Sequence, residues 1–91
     1  MIISNRIIHT VLIPAGAIYI TERVEDRIHG YGSNSLQTVI FWDVMINCGN
    51  GEDATEVDSF SSRAHSYNKA YYCAERLATS IINDFYADAT N

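Results

Sequence analysis

The chain has 91 residues, of which 47% are apolar and 19% are charged, and its formal net charge is −5. A chain of this length holds one hydrophobic core, so we expect a single compact domain over residues 1–91, and its apolar content argues against disorder. Two Cys and one Pro exclude a disulfide-dense scaffold and a collagen-like chain.

The first segment is rich in β-branched residues and predicts a strand over residues 6–13, which Pro14 ends. The charge of Arg6 lies inside the apolar stretch and not ahead of it, and His9 and Thr10 interrupt the stretch, so it lacks the roughly 7–15 uninterrupted apolar residues of a secretory signal. No stretch reaches the roughly 20 apolar residues of a transmembrane helix. We therefore expect a cytoplasmic protein with reduced cysteines. Residues 17–24 predict the second strand of a hairpin, followed by a loop over residues 25–35.

Residues 36–47 give the clearest strand pattern. Alternation predicts that one face, which includes Trp42 and Val44, packs in the core against a row of helical alanines. The opposite face carries Val39, Phe41 and Met45, although a half-buried strand usually has a polar outer face. We therefore predict that these three residues form a self-association surface of a symmetric dimer.

The remainder of the chain predicts one more strand and a long helix. Asn50-Gly51 is a hairpin signal, and the strand over residues 54–60 is short and acidic, as suits a sheet edge. Ser61 or Ser62 is the predicted N-cap of a helix over residues 63–87, whose apolar residues recur at steps of three and four. The predicted fold class is α+β: an antiparallel sheet of three to four strands with one long C-terminal helix packed on one face.

Two groups of residues are candidates for binding a partner. Four carboxylates fall within seven positions, and residues 36–62 contain no Lys or Arg to neutralise them. Two tyrosines lie on the flank of the predicted helix, where Tyr supplies contact area and a hydrogen-bonding tip. The predicted partner-binding residues are Glu52, Asp53, Glu56, Asp58, Tyr72 and Tyr86.

The sequence contains no diagnostic catalytic or cofactor motif. It has no Cys-x-x-Cys or His-x-x-x-His pair for zinc, no nucleophile elbow and no phosphate-binding loop. A pocket of enzyme size is also hard to build around one sheet and one helix. We therefore predict a protein that is not an enzyme and that uses no cofactor or metal.

The second half of the chain resembles a double-stranded-RNA-binding domain. The resemblance covers residues 36–82, about half the chain, and lies in a strand hairpin followed by a helix with small residues in its first turns. That helix begins in the family with Ser-Lys-Lys-x-Ala-x-x-x-Ala-Ala. The corresponding stretch here is Ser66-Tyr67-Asn68-Lys69-Ala70-Tyr71-Tyr72-Cys73-Ala74. The resemblance implies a sheet-plus-helix layout, but the family's paired phosphate-binding lysines are Tyr67 and Asn68 here.

The overall profile is also similar to that of small phage anti-defence proteins, such as anti-CRISPR and anti-restriction proteins. The leading hypothesis is thus a non-catalytic protein-binding module, an inhibitor that occupies a basic nucleic-acid-binding surface of a host defence complex. The chain repels nucleic acid through its net charge of −5. The alternatives are a nucleic-acid-binding module, which this charge disfavours, and a small enzyme or structural oligomer subunit.

Overall fold

A computed structural model describes residues 2–28, 36–49 and 53–89 of the chain. Four strands precede one helix: β1 (Ile2–Ile13), β2 (Gly16–Ile28), β3 (Leu36–Asn47), β4 (Thr55–Ser61) and α1 (Tyr67–Ala89). The strands form one antiparallel sheet in the order β1-β2-β3-β4, with α1 packed on one face. The predicted α+β fold class is therefore confirmed, and β4 is an edge strand as expected.

The central pair of strands is longer than the sequence predicted. β2 continues through Ile28 and pairs with β3 in unbroken register from Ala17↔Asn47 to Ile28↔Leu36. Residues 25–28 are therefore strand, and not the start of a loop. Asp26 in this stretch has a cross-strand partner, because the Thr38 hydroxyl donates to its carboxylate at 3.1 Å. At the other end, a Cβ on Gly16 would lie 1.9 Å from the carbonyl oxygen of Asn47, so only glycine allows this close approach.

Three irregularities interrupt the outer ladders, one of them a β1–β2 register shift between Ile2 and Ser4. The β1–β2 register also shifts between Ile7 and His9, and the β3–β4 register shifts so that Val44 opposes Asp58 while Met45 opposes Glu56. Val57 is the extra residue in the β3–β4 ladder. Because residues directly opposite each other share a face of the sheet, this bulge places Asp58 and Glu56 on opposite faces.

The core lies between α1 and the centre of the sheet. Ala70, Ala74 and Ala78 of the helix are 0–2% exposed and belong to one cluster with Ile18, Ile20 and Val44, each 0% exposed. The alanines allow the helix axis to approach the sheet closely, because each buries a side chain without lifting the helix. The predicted alanine stripe is thus confirmed as the contact face of α1.

Trp42 lies at the margin of this core. It is half-buried, packs against the core cluster, and meets the Tyr67 ring edge-on with centroids 5.9 Å apart. The expectation that Trp42 lies in the core against the alanines is met only as contact with the core cluster, because Val44, two residues further along the same face, is the residue that is fully buried in it.

The helix begins at Tyr67, four residues later than predicted, because the preceding serines are used by the sheet and a turn. Ser61 is the last residue of β4, and Ser62 N–H donates to the carbonyl of Ile40 at 2.9 Å. The Ser61 hydroxyl accepts from Arg63 N–H at 3.2 Å, so it closes a turn and does not cap α1. Ser66 precedes the helix directly, and its carbonyl accepts Lys69 N–H at 3.1 Å.

The molecule is elongated, with extents of 63 × 26 × 18 Å and a radius of gyration of 16.4 Å. A compact chain of this length would have a radius of gyration of about 12 Å. The long strands therefore extend past the ends of the core, and β1 from Ile2 to Ile7 is exposed throughout.

We predict that Ala74→Leu destabilises the fold by about 1–3 kcal/mol, because a larger side chain at this buried position forces the helix away from Ile18, Ile20 and Val44. Ser80→Leu introduces the same residue at an exposed position of the same helix and is the matched control. Chemical denaturation of both variants measures the difference. Equal free energies of unfolding would contradict the close helix–sheet contact.

Candidate functional site

The side of α1 that faces away from the sheet carries two exposed tyrosines. Tyr72 and Tyr86 are each 62% exposed. They are separated by nearly four helical turns, so they lie on the same side about 21 Å apart. Thr79 and Asn83, both exposed, lie between them. We call Tyr72, Arg76, Thr79, Asn83 and Tyr86 the outer helix face; it is directly opposite the alanine stripe.

The outer helix face borders a groove between α1 and the edge strand β4. The groove has a volume of about 480 Å³ and is open to solvent. The guanidinium of Arg76 lies 5.6 Å from the centre of the Tyr72 ring, which orients that tyrosine. The groove is lined by Asp58, Phe60, Lys69, Tyr72, Cys73, Arg76 and Leu77.

Cys73 in this groove is a half-buried free thiol. Burial raises the pKa of the Cys73 thiol, and the negative charge of Asp58 raises it further. The thiol is therefore protonated at neutral pH, whereas a reactive cysteine needs a lowered pKa. The groove offers apolar contact area and charged rims, but no activated nucleophile at Cys73.

The predicted acidic residues line both sides of the β4 edge and do not form a single-faced patch. Asp53, Glu56 and Asp58 are exposed, while Glu52 lies outside the described residues. The bulge at Val57 directs Asp58 to the helix side and Glu56 to the opposite side. The carboxylate of Asp58 accepts Ser59 N–H at 2.8 Å. The edge as a whole is therefore acidic whichever face a partner approaches.

The predicted self-association residues lie on the side of the sheet opposite α1, which we call the helix-free face. Val39 is only 3% exposed, and Phe41 and Met45 are half-buried. The Arg23 guanidinium lies 4.4 Å from the centre of the Phe41 ring and covers it. The monomer thus hides Val39 and covers much of Phe41 with its own side chains, which leaves a smaller apolar area here than the alternation suggested.

A cluster of charges occupies the middle of the helix-free face. The Arg23 guanidinium donates to both oxygens of Asp43, with N–O distances of 2.9 and 3.3 Å, and to Glu25 Oε1 at 2.5 Å. The Ser59 hydroxyl donates to Asp43 Oδ1 at 2.6 Å. Arg23 therefore joins three strands, because Asp43 is on β3 and is also held by Ser59 of β4.

Asp43 is 5% exposed, so its negative charge is stabilised by its protein partners and not by water. Burial alone would raise the pKa of the Asp43 carboxyl, but the hydrogen bonds from Arg23 and Ser59 and the Arg23 charge outweigh it and lower that pKa below its ordinary value. The hydrogen bond to Asp43 raises the pKa of Arg23 above its ordinary value. Both groups are ionised at neutral pH.

Sequence reasoning missed this charge cluster. The sequence contains one indication of it: Asp43 is the only charged residue in β3, and it lies on the same face as the apolar Phe41 and Met45. The partner could not be identified without the β2–β3 register, which places Arg23 opposite Phe41, one diagonal step from Asp43. Arg23 and Asp43 are 20 positions apart in the chain.

The histidines that the structure describes have protein partners. His9 Nε2 lies 3.0 Å from Glu75 Oε1, and its ring packs against Tyr71 with centroids 4.9 Å apart, which ties β1 to α1. His65 meets the Phe60 ring edge-on. Within residues 2–28, 36–49 and 53–89, no three His, Cys, Asp or Glu side chains are grouped so that they could hold a metal ion.

Comparisons with protein-family models, with curated proteins and with solved structures find no match to this chain. In the described part of the chain, α1 falls short of the apolar length that crossing a membrane requires.

We predict that Asp43→Asn destabilises the protein at pH 7 by about 1.5–3 kcal/mol, the range for hydrogen bonds to charged groups. Because the folded-state pKa of Asp43 is lower than its unfolded value of about 3.9, its ionised form stabilises the fold above that pH. This contribution is lost as the pH falls through the folded-state pKa.

The melting temperatures of wild type and Asp43→Asn should therefore converge as the pH is lowered from about 5 towards 2. Asp84→Asn, which removes an exposed carboxylate from α1, is the control and should leave the melting temperature nearly unchanged at pH 7. A difference between wild type and Asp43→Asn that stays constant over this pH range would contradict the role given to the Asp43 charge.

Proposed function

We propose that this chain is a non-catalytic protein-binding module that docks through the outer helix face and the adjoining acidic edge of β4. The observation that carries the proposal is the 62% exposure of both Tyr72 and Tyr86, directly opposite the face that α1 buries. Two large aromatic side chains in this position add little to the core. Aromatic residues, Tyr among them, are enriched at protein–protein interfaces relative to the rest of the surface.

The outer helix face has the features of a protein-binding surface. Tyrosines are enriched among residues that dominate binding energy, because they bury a large area with few rotatable bonds. The smaller Thr79 and Asn83 between them leave room for partner side chains. A helix packed tightly on a sheet also holds the two anchors at a fixed separation, which reduces the entropy lost on binding.

The charge distribution favours a partner with a basic surface. The chain carries a net charge of −5, and Asp53, Glu56 and Asp58 are exposed in or just before β4, with Asp58 on the helix side of the sheet. Complementary charge steers association and disfavours acidic partners, nucleic acid among them. A basic surface that otherwise holds nucleic acid, as in the defence complexes that phage inhibitors block, fits this chemistry.

We predict that the double variant Tyr72→Ala/Tyr86→Ala weakens partner binding about 100-fold, since each anchor contributes at least about 1–2 kcal/mol. The partner would be captured from a nuclease-treated bacterial lysate, purified, and titrated by calorimetry. Met45→Ala, which truncates a half-buried residue on the helix-free face, is the control. Binding that is unchanged by the tyrosine substitutions would contradict docking through the outer helix face.

Replacing Glu52, Asp53, Glu56 and Asp58 together with Gln or Asn should slow association and reduce its dependence on salt, because rim charges act mainly on the rate of encounter. The melting temperature should stay close to that of wild type, since the described members of this group are exposed. Stopped-flow association at about 50 and 300 mM salt measures both effects. If wild type captures nucleic acid and no protein from a lysate that has not been treated with nuclease, the nucleic-acid-binding alternative replaces this proposal.

A further inference from the structure

The edge strand β1 has fewer of the features that protect sheet edges from pairing than the opposite edge, β4. It is 12 residues long, or about 40 Å, and its only strand partner among the described residues is β2. Its outer edge therefore presents unpaired backbone donors and acceptors to solvent. Four large apolar residues of β1 are also more than half exposed: Ile2, Ile3, Ile7 and Leu12.

The opposite edge, β4, is protected in the usual ways. It has 7 residues, it contains the bulge at Val57, and it carries Glu56 and Asp58. Short length, a bulge and charged side chains each discourage a second chain from adding to an edge. β1 also has register shifts, but they lie before His9, and pairing with β2 is regular from His9 to Ile13. In addition, β1 contains no lysine and no proline.

The accessible surface of the chain is larger than its mass predicts. The surface measures 6289 Å², whereas a compact monomer of 10.2 kDa exposes about 5300 Å². The excess, about 1000 Å² per chain, is of the size that one partner buries in a standard protein–protein interface, about 800 Å². The isolated chain thus exposes as much additional surface as one interface would cover.

The distribution of charge favours a second copy of this chain as the occupant of the β1 edge. None of the eleven Asp and Glu lies in β1, although every other element contains at least one. Two chains of net charge −5 repel, and β1 is the element along which they approach with the least repulsion. The same strand also offers no charge that would select a highly basic partner.

We propose that two copies of this protein pair along β1 as antiparallel edge strands, which joins two four-stranded sheets into one of eight strands. The relation is two-fold, so each copy uses the same surface and the assembly closes as a dimer. The two-fold axis runs perpendicular to the sheet, and both helices lie on the same side. This interface differs from the one predicted from Val39, Phe41 and Met45, and it is independent of the proposed partner on the outer helix face.

Analytical ultracentrifugation from about 1 to 200 μM tests the proposal, since a moderate interface dissociates in this range. Wild type should sediment at twice the monomer mass of 10.2 kDa at the high end. Ile7→Lys/Leu12→Lys places the edge-protecting residue at two exposed sites of β1 and should shift the dimer dissociation constant upwards at least 100-fold. Circular dichroism at the same concentrations checks that the variant is folded.

Two control variants separate the competing surfaces. Val57→Lys introduces lysine at a 44% exposed apolar residue on the other edge and should leave the dimer intact. Met45→Lys does the same on the helix-free face and should also leave it intact. Amide hydrogens of β1 should exchange more slowly at high protein concentration than at low. A wild type that is monomeric at 200 μM, a β1 variant that still dimerises, or dissociation by Met45→Lys would each overturn β1 pairing.

Discussion

The contact between three helical alanines and the centre of the sheet is the constraint on which the rest of the structure depends. A single sheet with one helix has one interior, and its fully buried members here are helical alanines packed on aliphatic strand residues: Ala70, Ala74, Ile18, Ile20 and Val44. Because the helix axis lies close to the sheet, the orientation of α1 about its own axis is fixed. Every other side chain of α1 is then placed by the helical period, including the tyrosines that the core cannot accommodate.

The helix-free face has no second layer of secondary structure to cover its apolar residues. Arg23 spans it by packing its guanidinium on Phe41 and pairing with Asp43, which Ser59 also holds. Asp43 is 5% exposed, so its carboxylate needs hydrogen-bond and charge partners within the protein. Removing one partner leaves a buried charge unpaired, and this destabilises the fold by more than the intact pair stabilises it. This arrangement lets a sheet with apolar residues on both sides remain in water with one helix.

Periodicity predicted the elements of this fold well, and it failed wherever pairing or a bulge decided the outcome. Alternation identified β3, and steps of three and four identified the alanine stripe of α1. Strict alternation would place Glu56 and Asp58 on the same face of the sheet, but the bulge at Val57 places them on opposite faces. A period-two pattern cannot anticipate this. Similarly, Ser61 suits an N-cap by residue type, but pairing with Phe41 keeps it in the sheet. The exposed positions of Tyr72 and Tyr86 followed from helical geometry alone.

The two proposed surfaces follow from one asymmetry in charge. Acidic residues on β4 make that edge attractive to a basic partner and unattractive to a second copy, whereas β1 has none and permits a copy to approach. Because a two-fold axis through paired β1 strands leaves both helices on one side of the sheet, the proposed dimer would display two outer helix faces in the same direction. A partner with two basic sites at a matching distance would then bind with an avidity well above that of one site. Pairing along β1, which contains no Asp or Glu, would thus determine how many outer helix faces a single partner can bind at once.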